Sequence, residues 1–102
     1  MDQADASLLE ELEKRAAAFL IPLKDKEGFN EAAFQELCET LRHCAHYWAD
    51  RKVLPKLAVN VFVEMNPWLV GCEALYATDI RQRMVDAEME LTDLMLSCAK
   101  VS

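Results

Sequence analysis

The stretch NEAAFQELCETLRHCAHYWAD, residues 30 to 50, decides the fold class of this chain. Its large apolar residues recur at intervals of three and four, which is the spacing of one face of an α-helix. Asn30 is a residue type that caps helix N-termini, so we predict a helix from Asn30 to about Asp50. Its apolar face would consist of Phe34, Leu37, Leu41, Cys44 and Trp48.

The opposite face of this helix carries four polar residues at spacings of four, three and four. Carboxylate and imidazole side chains one helical turn apart can chelate a divalent metal, which makes these residues the metal-site alternative. One helix rarely supplies a complete ligand set, and this face points away from the core. We therefore expect a solvated face and no cofactor. The four residues are Glu39, His43, His46 and Asp50.

A first helix is predicted over about residues 5–20. Glu11 and Arg15 form an oppositely charged pair one turn apart, which favours the helix. Pro22 is expected to end it, because proline cannot donate the backbone hydrogen bond that a helix interior requires. The following residues IPLKDKEGF, 21–29, combine proline, glycine and mixed charges, and this composition predicts a linker.

A third helix is predicted over roughly residues 55–65, opened by Pro55. Three valines alternate there as they would in a strand. Three polar residues instead fall at i, i+4 and i+8, which is one narrow stripe on a helix, and we prefer the helix for that reason. These polar residues are Lys56, Asn60 and Glu64.

The last helical region is predicted to begin at Asn66 and Pro67, a cap followed by a first-turn proline. Thr78 and Asp79 mark either a bend or a junction between two helices. We therefore predict an all-α fold, a compact antiparallel bundle of four helices, or five if the last region breaks there. It would form one domain over residues 1–102, with its helical core at 30–100.

Charge and composition exclude several classes of function. Eighteen acidic and 11 basic residues leave a formal charge of −7, which disfavours nucleic acid and anionic membranes as partners. The first residues are acidic where a signal peptide would be basic, and no apolar run approaches the roughly 20 residues of a membrane span. Four cysteines without a CxxC pair indicate reduced thiols. We expect a cytoplasmic protein.

Motifs for catalysis are missing from the sequence. The serines at 7, 97 and 102 follow no G-x-S-x-G turn, and two glycines in the whole chain are too few for a phosphate-binding loop. We therefore expect no enzymatic activity.

The apolar excess lies in VLPKLAVNVFVEMNPWLVGCEALY, residues 53–76. Either these residues fill the bundle centre or some of them form a face for another protein or for a second copy of the chain. The second possibility predicts a protein-binding module that acts as an adaptor, a chaperone or an inhibitor, with a homodimeric structural protein as the alternative. The predicted partner-binding residues are Leu57, Val61, Phe62, Met65, Trp68 and Leu75.

Within that stretch, the run NPWLVGCEALY, residues 66–76, resembles a segment of the small helical chaperones of type III secretion needle subunits. The similarity covers about a tenth of the chain. It implies a helical chaperone among the three kinds of binding module.

Overall fold

Four α-helices make up the computed structural model, which describes residues 3–99. They are α1 (Gln3–Lys24), α2 (Glu31–Tyr47), α3 (Lys56–Glu73) and α4 (Thr78–Ala99). The described residues contain no strand, so the predicted all-α bundle of four helices is confirmed. Between residues 3 and 99, no helix combines the length and apolar character that a bilayer-crossing segment requires.

The helices form two antiparallel hairpins, α1 with α2 and α3 with α4. In the first hairpin the start of α1 meets the end of α2, where Asp5 bonds to Trp48. The hairpins then lie side by side, with α1 against α3 and α2 against α4. These side-by-side pairs run parallel, as shown by Arg83 near the start of α4, which bonds to Glu31 at the start of α2. The predicted antiparallel arrangement therefore holds within each hairpin but not between the hairpins. The connection between α2 and α3 therefore crosses the end of the bundle diagonally.

Helix α2 follows its predicted pattern closely. The Asn30 side chain accepts a hydrogen bond from the Ala33 backbone N–H at 3.0 Å, which confirms the N-cap. All five predicted core residues are fully buried. The helix ends at Tyr47, three residues earlier than predicted, and Trp48 caps it.

Helix α1 is longer than predicted, and Pro22 does not end it. The helix continues to Lys24, so residues 21–24 belong to α1 and the connection covers residues 25–30. Pro22 removes only the hydrogen bond to the carbonyl of Ala18, an exposed residue whose carbonyl water can reach. The helix stops where Lys26 adopts a positive φ of 62°, and Glu27 N–H bonds back to the Pro22 carbonyl at 2.8 Å. This is the Schellman arrangement of a helix C-terminus.

The predicted helix boundary at Asn66 and Pro67 is wrong. Helix α3 runs through both residues from Lys56 to Glu73 without a break. Asn66 does not cap a helix, because its side-chain amide donates to Thr92 Oγ1 on α4 at 2.6 Å. Pro67 is exposed, so the Val63 carbonyl that it leaves without a partner faces solvent.

The true turn between α3 and α4 covers residues 74–77, and α4 begins at Thr78. Thr78 and Asp79 therefore mark a junction between two helices and not a bend. Tyr76 holds this turn against the end of α1, because its hydroxyl donates to the Leu23 carbonyl at 2.6 Å. The Tyr76 hydroxyl oxygen also accepts a hydrogen bond from the Gly28 backbone N–H, at 3.2 Å.

The core is closed by a different cluster at each end. Near the α1–α2 connection, the Phe19, Phe29 and Phe34 rings pack with centroids 5.2–5.5 Å apart. At the other end, Trp48 Nε1–H donates to Asp5 Oδ1 at 3.0 Å. That bond lowers the pKa of Asp5, as does Arg51, which donates to Oδ2 at 3.1 Å.

Candidate partner-binding site

An apolar groove of about 180 Å³ runs between α1 and α3. Its walls come from successive turns of the two helices, which lie parallel here. Because both helices present short or apolar side chains along this seam, a gap remains between them. Its lining residues are Glu13, Ala16, Ala17, Leu20 and Ile21 from α1, and Val61, Glu64, Met65 and Trp68 from α3.

Trp68 stands at one end of the groove with 40% of its surface exposed. The Lys24 ammonium lies 5.7 Å from the centroid of its ring, a distance at which a cation and an aromatic face attract each other. Ile21, one turn before the end of α1, is 48% exposed beside it. The groove therefore ends in an aromatic residue and an aliphatic residue that are both available for contact.

The structure brings three of the six predicted binding residues together. Val61, Met65 and Trp68 line the groove, and Met65 is almost completely buried, so it forms the floor. Leu57 lies one turn before Val61 and is half exposed, outside the lining residues. Leu75 lies beyond the end of α3 and is also exposed.

Phe62 lies apart from these residues, on the other side of α3. It belongs to a second groove, of about 310 Å³, between α3 and α4. Sequence reasoning missed most of that groove, because the predicted break at Asn66 divided the pattern. When α3 is taken as continuous, Val59, Val63 and Asn66 follow one another at spacings of four and three, and all three line the second groove.

Two carboxylates lie along the α1/α3 groove, and the Lys24 ammonium lies at its Trp68 end. Glu13 of α1 and Glu64 of α3 both line the groove, and both are exposed. Carboxylates on the two walls place negative potential beside an apolar floor, in a chain that already carries a formal charge of −7.

The histidine face of α2 is separate from this groove. Glu39, His43, His46 and Asp50 are all exposed. Glu39 and His43 line a broad groove of about 620 Å³ between α1 and α2, but His46 and Asp50 do not. Among residues 3–99, no group of three or more His, Cys, Asp or Glu side chains is placed to hold a metal ion.

Comparison of this chain with protein-family models, with curated proteins and with solved structures finds no match. The similarity of residues 66–76 to needle-subunit chaperones therefore stays a resemblance.

Proposed function

We propose that this chain is a non-enzymatic protein-binding module that takes the apolar face of a basic partner helix in its α1/α3 groove. One observation supports this proposal. The exposed side chains of Trp68 and Ile21 lie at one end of the groove, and carboxylates lie on both of its walls. A basic amphipathic helix presents the complementary pattern, apolar along one face and cationic along its margins.

Burial of apolar surface would supply the affinity. Covering a half-exposed aliphatic side chain is worth about 1 kcal/mol, and Ile21 offers that much area in the groove. Trp68 offers more, since tryptophan residues dominate measured binding energies at interfaces. Met65 gives the groove a floor that can adapt to side chains of different shape.

The carboxylates would select the partner and its orientation. Glu13 and Glu64 line the groove from different helices, so a partner helix with lysine or arginine on both margins could pair with both. Charge complementarity of this kind raises association rates and excludes acidic competitors more than it raises affinity.

The cytoplasm is the compartment that we propose for this module. All four cysteines are unpaired and buried, and unpaired thiols persist in reducing compartments. Adaptor, chaperone and inhibitor all remain compatible with one helix-binding groove.

The test uses two synthetic amphipathic peptides of about 18 residues, the length of α3. Both carry leucines at helical spacing, and the polar positions are lysine in one peptide and glutamate in the other. We expect the lysine peptide to bind, measured by titration calorimetry, and the glutamate peptide not to bind. Equal affinity for the two peptides, or binding of neither, would contradict the proposal.

Trp68→Ala is the variant that locates the site. We expect it to weaken binding of the lysine peptide roughly tenfold or more, because it removes the aromatic end of the groove. Its circular dichroism spectrum should remain that of the parent. The matched control is Tyr47→Ala, which removes a similarly exposed aromatic residue from the end of α2 and should leave binding unchanged. A large loss of thermal stability in Trp68→Ala would instead assign Trp68 to the core.

A further inference from the structure

The α3/α4 side of the bundle carries a second apolar surface, distinct from the partner groove. Phe62 and Met95 form the floor of the groove between these helices, with Val63 and Leu96 among its lining residues. Val63 and Leu96 are 62% and 63% exposed. Aliphatic side chains exposed to that extent on neighbouring helices make one continuous apolar surface.

We propose that this surface binds a second copy of the chain, so that the protein forms a two-fold symmetric dimer through α3 and α4. The charge of the surface indicates what binds there. Among residues 3–99, none that lines this groove is charged, and the only polar side chains that line it are Asn66 and Thr92. These two are already hydrogen-bonded to each other at 2.6 Å.

Two chains that each carry a formal charge of −7 repel each other, and carboxylates brought together at the contact would add to that repulsion, so an uncharged contact surface is the more favourable one. The α3/α4 surface meets that condition, whereas the α1/α3 groove does not, because Glu13 and Glu64 line it. A basic partner would gain more from the carboxylates of the acidic groove than from a neutral surface. Charge therefore assigns the acidic groove to a basic helix and the neutral surface to a second copy.

A dimer of this kind requires only part of one side of the bundle. A stable interface buries about 800 Å² per partner, roughly one-eighth of the 6262 Å² accessible surface of this chain. One side of a four-helix ring is about a quarter of the lateral surface. In a two-fold contact the same side chains meet on both copies, so the projecting Leu96 of each copy could enter the groove of the other.

A dimer of this form leaves both α1/α3 grooves open, since they lie on another side of each copy. The assembly would therefore present two partner sites. The dimer does not depend on the proposed binding of a partner helix, so either proposal can be wrong while the other is right.

The test is sedimentation equilibrium of the full chain over a range of concentrations. We expect a monomer–dimer equilibrium that Leu96→Glu shifts towards monomer, with the dissociation constant raised roughly tenfold or more, because each substitution occurs twice in a symmetric interface. The matched control is Ile21→Glu, which places the same charge in the α1/α3 groove and should leave the dimer intact. Both residues are exposed, so neither substitution is expected to unfold the chain.

Salt distinguishes the two surfaces. Raising the salt concentration screens the repulsion between two acidic chains and should tighten the dimer, whereas it should weaken binding of the lysine peptide. A chain that is monomeric at every concentration, a dimer that survives Leu96→Glu, or assembly beyond a dimer would each overturn the proposal. A dimer lost in Ile21→Glu but retained in Leu96→Glu would place the interface on the partner groove instead.

Discussion

At the scale of single residues, the exposed glycine of α3 stands out as a local cost to stability. Gly71 lies within the helix one turn before Leu75, and a Cβ added there would meet no atom within 4 Å. Glycine in a helix is less favourable than alanine by about 0.5–1 kcal/mol, because it loses more backbone freedom on folding. Folding alone therefore gives no reason for glycine at this position.

We expect Gly71→Ala to stabilise the protein by about 0.5–1 kcal/mol, measured by urea unfolding. Gly28→Ala is the matched comparison, because its surroundings are equally open but its φ is +103°. Alanine is strained in that conformation, so this variant should lose about 1 kcal/mol or more. If Gly71→Ala destabilised the protein, the surroundings of Gly71 would be less open than the structure shows.

At the scale of helices, the contact between α3 and α4 contains a pair of carboxylic acids. Glu73 and Glu88 each have a side-chain oxygen that is inaccessible to water and lacks a hydrogen-bond partner. Burial is the largest cause that raises the pKa of Glu88 to about 7, and the neighbouring Glu73 carboxyl contributes to the same rise by repulsion and by a hydrogen bond. The pair therefore holds a proton at a pH where an ordinary glutamate has lost it.

The consequence is a loss of stability as the pH rises. Because the pKa of Glu88 is higher in the folded chain than the ordinary 4.5, its contribution is complete below about pH 4.5 and disappears as the pH passes 7. Glu88→Gln stays neutral and should remove this decline. We expect it to exceed the parent by about 1 kcal/mol at pH 8 and to match it near pH 4.5, since water partly screens a half-buried pair.

Thermal unfolding of the parent and of Glu88→Gln between pH 4.5 and 8 measures this difference. Glu27→Gln is the control, because Glu27 is exposed in the α1–α2 connection. Parallel pH profiles for the parent and Glu88→Gln would show that the pair does not retain a proton in the folded state.

At the scale of the whole molecule, the four cysteines report on the opening of the bundle. All four are buried, and burial raises the pKa of Cys44 to about 12 and those of Cys38 and Cys98 to about 11. Only the thiolate reacts readily. The native fold therefore protects these thiols in two ways, because it keeps reagents away from them and keeps them protonated.

We expect the thiols to resist a bulky alkylating reagent at pH 7.5 and to react fully in urea. Cys38, Cys44 and Cys98 should be labelled together, at the rate of global unfolding, because α2 and α4 pack against each other where these residues lie. Mass spectrometry of the labelled sites gives the rates. Rapid native labelling of Cys44 alone would show that the end of α2 opens independently of the core.

Residue spacing predicted the faces of the helices better than their limits. The apolar residues that recur at helical spacing after Asn66, such as Leu69, Met84 and Leu91, are all fully buried. They nevertheless belong to two helices, α3 and α4, divided by the turn at 74–77. The boundary was misplaced because Asn66 and Pro67 have the composition of a helix start. A side-chain contact with Thr92, 26 residues away, determines the role of Asn66 instead.

By itself, the sequence determined that the chain is helical, where the N-cap of α2 lies, and which side of α2 is apolar. Those properties depend on residues within a few turns of one another, so local spacing contains them. Only the tertiary structure decided which helices are neighbours, because the diagonal crossing between α2 and α3 places α1 beside α3. That packing divided the predicted binding residues, with Val61, Met65 and Trp68 in one groove and Phe62 in the other.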